Sequence, residues 1–111
     1  MTKENKRVIL VTGASRGVGK GIAEGLAEPD DIIICAARSL KEGTTVHQFG
    51  FEINSSLEDT VNTINQTGAL GVAYPIDLNC PEEILRLANF IKEEFGRLDL
   101  LVHAEIGRAH V

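Results

Sequence analysis

The chain has 111 residues, enough for one small domain, and carries no internal repeat or low-complexity tract. A formal net charge of −5 argues against nucleic acid or an anionic membrane as a partner. No apolar run approaches the ~18 residues of a spanning helix, and the polar opening, residues 1–6, is expected to be a disordered N-terminus rather than a signal peptide.

Order begins with Val8–Val11, an apolar and largely β-branched run that reads as a buried parallel strand. Glycines at 13, 17 and 19 punctuate the turn after it, and Gly17 to Glu28 reads as a helix. Strand, glycine turn and helix together bring backbone N–H groups and a helix N-terminus up to an anion. Spacing then separates the candidates. A phosphate loop for nucleoside triphosphates requires Gly, four residues, then Gly-Lys-Ser/Thr; Ala14 and Gly21 break that pattern. The Gly-x-Gly-x-x-Gly fingerprint fails at Ile22. What remains is Thr12-Gly13-x-x-x-Gly17-x-Gly19.

Pro29-Asp30-Asp31 is a turn that ends the helix, and Ile32 to Ala37 is the second strand. Residues 39–54 are polar and without clear period, longer than most strand–helix connections, and read as an insertion. Ser55-x-x-Glu58 has the form of a capping box, after which Leu57, Val61 and Ile64 share one helical face and Gly68 stops the helix. Val72 to Ile76 is the third strand. Pro81 opens a helix whose Ile84, Leu87, Ala88, Ile91 and Phe95 form one stripe, Gly96 ends it, and Leu98 to His103 is the fourth strand. The order βαβαβαβ calls for an α/β fold: a four-stranded parallel sheet covered by helices, the first part of a Rossmann fold. Cys35 and Cys80 have neither metal-ligand nor disulfide-framework spacing and read as reduced thiols of an intracellular protein.

The Thr12-Gly13-x-x-x-Gly17-x-Gly19 turn, with Ala14-Ser15-Arg16 inside it, resembles the short-chain dehydrogenase/reductase family. The resemblance runs from Val8 to about Ala104, and residues 7–104 are taken as a nucleotide-binding half-domain. It implies that Gly13, Ser15, Arg16, Gly17, Val18 and Gly19 line a dinucleotide site. At the end of strand two, an acidic residue would hydrogen-bond the adenosine ribose; Ala37 leaves that place empty and Arg38-Ser39 follow. Arg16 and Arg38 match positions that favour the 2′-phosphate of NADP(H), leaving NAD(H) as the less favoured cofactor. Asp77-Leu78 matches the pair that contacts adenine in family members, although an aspartate after a strand is commonly a turn residue.

The same resemblance implies an oxidoreductase that interconverts a carbonyl and a hydroxyl group on a small molecule. An intracellular, cytoplasmic location is expected from the reduced cysteines, and homo-oligomerisation of the full-length protein is left open. Family catalysis uses a serine and a Tyr-x-x-x-Lys pair; the single tyrosine here, Tyr74, is followed four residues later by Leu78, so no catalytic residue can be named. A stand-alone, non-catalytic dinucleotide-binding module is the alternative. Two departures stand out. The family has glycine near Asp30, and its Asn-Asn-Ala-Gly motif after strand four is replaced by His103, Ala104, Glu105 and Ile106. The last residues can be back-translated as ATC GGA AGA GCA CAC GTC, the text of a common sequencing adapter. Residues 105–111 are therefore expected to be a non-native tail.

Overall fold

The computed structural model describes residues 7–14, 17–38, 45–46, 52–53 and 55–104. Four parallel strands form the main sheet: β1 (Val8–Thr12), β2 (Ile32–Ala37), β5 (Leu70–Pro75) and β6 (Leu100–His103), in the spatial order β5-β2-β1-β6. Three helices connect them: α1 (Gly17–Leu26), α2 (Ser55–Asn65) and α3 (Pro81–Glu94). This is the expected α/β sheet. The 39–54 insertion adds one feature that its lack of period concealed: Thr45–Val46 (β3) pairs antiparallel with Glu52–Ile53 (β4). Two-residue strands are too short for an alternating pattern to register in sequence.

Every residue of β1 and β2 is buried, because these two strands hold the middle of the sheet and are covered on both faces. Side chains alternate between faces, so the core divides in two. Ile9, Val11, Ile33, Cys35 and Ala73 pack with Ala23 of α1 and Leu57, Val61 and Ile64 of α2. Val8, Leu10, Ile34, Val72 and Tyr74 pack on the other face with Leu87 and Ile91 of α3. Gly71 permits the close seat of α2: a Cβ there would lie 3.0 Å from the Val61 carbonyl oxygen. Cys35 sits inside the first layer, where burial pushes its thiol up to about 12. That suits a small core residue. Tyr74, whose phenol is likewise pushed up by burial, packs at a tilt against Phe90 with centroids 5.0 Å apart and belongs to the second layer.

The predicted boundaries hold to within two residues at most ends, with β6 starting at Leu100 rather than Leu98. The α3 stripe is narrower than expected. Leu87 and Ile91 are buried, whereas Ile84 and Ala88 are exposed. The Pro29–Asp31 turn explains the missing glycine: Asp30 itself adopts φ 75°, the left-handed conformation that aspartate tolerates better than most residues. Its N–H donates to Gly68 O at 3.1 Å. Beside it, Arg7 forks onto buried Asp31, Nε to Oδ1 at 3.0 Å and Nη2 to Oδ2 at 2.6 Å, while the Glu28 N–H donates to Oδ2 at 3.1 Å. This cluster ties the start of β1 to the α1–β2 connection, at the end of the sheet opposite the glycine turn.

Candidate functional site

The site begins where β1 runs out. Gly13 takes φ 70°, and the N–H groups of Gly13 and Ala14 both donate to Ala36 O, at 2.8 and 3.2 Å. The end of β2 thus fixes the start of the turn. Gly17, at φ 65°, opens α1. Gly19 is buried under the turn: a Cβ there would overlap the Gly13 carbonyl oxygen and stand 2.6 Å from the Gly13 carbonyl carbon. Among the described residues, a Cβ at Gly17 would meet nothing within 4 Å. No acidic residue occupies the first turn of α1, which leaves its partial positive charge uncompensated by the helix itself. Val18 is 62% exposed beside it. The arrangement fits an anion approaching the N-terminus of α1, with glycine where a side chain would block the turn.

Two further contacts hold this turn and were not foreseen. Thr60 Oγ1, buried on α2, donates to Ala14 O at 3.0 Å. Thr12 Oγ1, buried at the end of β1, lies 2.7 Å from His103 Nδ1 on β6. His103 stands where the resemblance leads one to expect an asparagine, and its ring forms a strand-to-strand hydrogen bond with Thr12. The signal for Thr60 was available: it is a polar residue inside the Leu57-Val61-Ile64 stripe, a place that a polar group occupies only with a partner.

Of the sequence-predicted residues, Gly13, Gly17, Val18 and Gly19 come together at the turn, and Arg38 follows directly at the C-terminal end of β2, exposed. Asp77 and Leu78 follow β5 at the same edge of the sheet. Asp77 works as a turn residue: Oδ1 accepts the Asn79 N–H at 3.0 Å, its N–H donates to Glu83 Oε1 at 2.8 Å, and its carbonyl accepts the Cys80 N–H at 3.0 Å. Leu78 packs partly into the α3-side core. Ser15, Arg16 and Ser39 lie outside the described residues. Among the described residues, no group of three metal-ligating side chains is assembled, and no helix is long and apolar enough to cross a membrane. Cys35 and Cys80 are both free.

No protein-family model matches the chain. The chain is 30% identical over 101 residues to the 3-oxoacyl-(acyl-carrier-protein) reductase FabG of Buchnera aphidicola, a match that covers 91% of this chain and 35% of that protein. Its fold is similar to a metagenomic short-chain oxidoreductase solved in complex with NADP, with TM-score 0.68, 27% identity, 86% of this chain and 37% of that one covered. Over about nine-tenths of its length the chain is similar to members of the short-chain dehydrogenase/reductase family. The fold is also similar to that of an alcohol dehydrogenase from the archaeon Thermococcus sibiricus complexed with 5-hydroxy-NADP, at TM-score 0.68 and 26% identity over 87% of this chain. The chain spans about a third of the length of the family members it matches.

Proposed function

We propose that this chain is the NADP(H)-binding part of an oxidoreductase that interconverts a carbonyl and a hydroxyl group on a small molecule. The observation that carries the reading is the Gly13–Gly19 contact. It forces the turn against α1 so closely that only glycine fits, while among the described residues nothing lies within 4 Å of a Cβ built at Gly17. That geometry suits the pyrophosphate of a dinucleotide. Gly13, Ser15, Arg16, Gly17, Val18 and Gly19 would hold the pyrophosphate side of the cofactor. Arg38 and Ser39, with Arg16, would take the 2′-phosphate, since an arginine fork pairs with phosphate through charge-assisted hydrogen bonds. Asp77 and Leu78 would meet the adenine. Relatives whose names or titles carry NADP or a carbonyl reduction support this choice.

No residue here is assigned to proton transfer. Tyr74 is 5% exposed, packed on Phe90, and burial raises its phenol further from working pH, the reverse of what a proton-transferring tyrosine needs. Residues 7–104 are read as the cofactor domain and 105–111 as a non-native tail, so the catalytic serine, tyrosine and lysine belong to sequence beyond Ala104. Amplifying and sequencing the locus tests this. A reading frame that continues past Ala104 with a Tyr-x-x-x-Lys pair is expected, and its product should oxidise NADPH in the presence of a carbonyl substrate. A native stop after Val111 would favour a non-catalytic binding module instead.

A further inference from the structure

Resting on that cofactor reading, we propose that Lys20 is a positioning residue for the cofactor turn, acting from α1 through the Thr60 hydroxyl of α2 on the Ala14 carbonyl, without itself touching the cofactor. Lys20 directly follows Gly19, the residue pressed under Gly13, so its stem leaves α1 beside the turn. Its ammonium crosses to α2, where Nζ lies 3.0 Å from Asp59 Oδ2 and 3.5 Å from Thr60 Oγ1. Thr60 is fully buried, and its hydroxyl donates to Ala14 O at 3.0 Å.

What each group can donate and accept sets the direction of this coupling. An ammonium has three donors and no acceptor, whereas a hydroxyl has one proton and rotates to suit its neighbours. Glu24 Oε2 at 2.6 Å and Asp59 Oδ2 at 3.0 Å take two of the three donors. The third faces the Thr60 oxygen at 3.5 Å, long for a hydrogen bond but close for a charge acting on a dipole. A cation there draws the lone pairs of the hydroxyl toward itself and turns its proton away, to the Ala14 carbonyl. In a buried place, away from water, that polarisation strengthens the bond the proton makes. Removing the cation removes the bias on the hydroxyl.

Helix stability alone does not account for this lysine. A cation in the first turn of a helix opposes the macrodipole, and lysine four residues before glutamate is the weaker order for such a pair. Nor is Lys20 suited to hold a phosphate itself. The hydrogen bond to Glu24, with Asp59 adding to it, holds its titration above the ordinary lysine value, so the ammonium stays charged at working pH. The same two carboxylates offset that charge, which leaves no net positive field for an anion. Held by both, the ammonium is fixed in position where it meets Thr60.

The test is a double-mutant cycle on the full gene product, with NADPH and NADH affinities titrated calorimetrically for wild type, Lys20→Met, Thr60→Val and the double variant. Lys20→Met should weaken both cofactors by the same factor, roughly three- to tenfold, because the pyrophosphate side is common to them. In the Thr60→Val background the same substitution should cost no further affinity, although it still lowers the melting temperature by breaking the ion pairs. Lys20→Arg, which keeps a charged donor, should retain most of the wild-type affinity, and Lys20→Gln replaces the methionine variant if that one does not fold. Unchanged affinity in Lys20→Met, or a loss that persists undiminished beside Thr60→Val, overturns the proposal and leaves the cofactor reading intact. Absence of binding by either cofactor to the wild-type protein overturns both.

Discussion

The hydroxyl of Thr60, on α2, donates a buried 3.0 Å hydrogen bond to the carbonyl oxygen of Ala14, inside the glycine turn that follows β1. A helix far along the chain thus fixes the loop that the cofactor reading depends on. Thr60→Val keeps the shape and removes the donor, so the Ala14 carbonyl loses this partner in a buried place. The expected cost is about 1–3 kcal/mol, read as a lower melting temperature, with a weaker NADPH affinity because the turn is no longer pinned. A valine variant with unchanged melt and affinity would show that the turn holds itself.

Glycines within a single helix should behave oppositely. Gly19→Ala drives a methyl into the Gly13 carbonyl, and overpacking of this kind costs roughly 1–3 kcal/mol. Cofactor binding should fall with it. Gly25, six residues on, faces open space, and Gly25→Ala should stabilise α1 by roughly 0.5–1 kcal/mol because alanine is the better helix former. Chemical denaturation of both variants decides the pair. Equal effects would contradict the geometry.

Much of this architecture was legible because parallel strands buried on both faces read as continuous apolar runs, as Val8–Val11 and Ile32–Ala37 do. Glycine spacing likewise betrayed the turn, since the Gly13–Gly19 approach admits no other residue. The β3–β4 pair was not legible, being shorter than any periodic signal. Nor was the Thr12–His103 hydrogen bond, because partners in different strands are set by register, which a local reading does not supply. Asp30 was read as a departure from glycine, whereas the backbone keeps the glycine-like φ and the aspartate adapts to it.

The Arg7–Asp31 pair makes stability depend on pH in a definite direction. Burial pushes the Asp31 carboxyl up, but hydrogen bonds from Arg7 and the Glu28 N–H outweigh it, so it titrates below the ordinary carboxylate range. An unfolded aspartate titrates near ~3.9. Stabilisation is therefore complete above that value and is lost as pH falls through the lower, folded value. Asp31→Asn should cost roughly 1–3 kcal/mol at pH 7, discounted because the Arg7 side chain is 38% exposed. The gap to wild type should close below about pH 4. A gap that widens in acid would contradict the assignment.

β6 carries the exposed leucines Leu100 and Leu101, 39% and 56% accessible, and closes one side of the described sheet. An apolar edge without charge or proline templates strand addition. Expressed as 111 residues, the chain should self-associate and show no dehydrogenase activity. Leu101→Lys should lower static light scattering at equal concentration. Unchanged scattering would place self-association elsewhere.

On the proposed function, these residues are expected to bind NADP(H) in preference to NAD(H), with Arg38 at the end of β2 contributing to the choice. Calorimetric titration of the full gene product with both cofactors, before and after Arg38→Asp, tests it most directly. NADPH should bind more tightly, and the substitution should remove a charge-assisted contact worth on the order of 1.5–3 kcal/mol, or roughly tenfold and upward in affinity, so the gap narrows or reverses. Equal affinities in the wild-type protein, or a preference that survives Arg38→Asp undiminished, would contradict it.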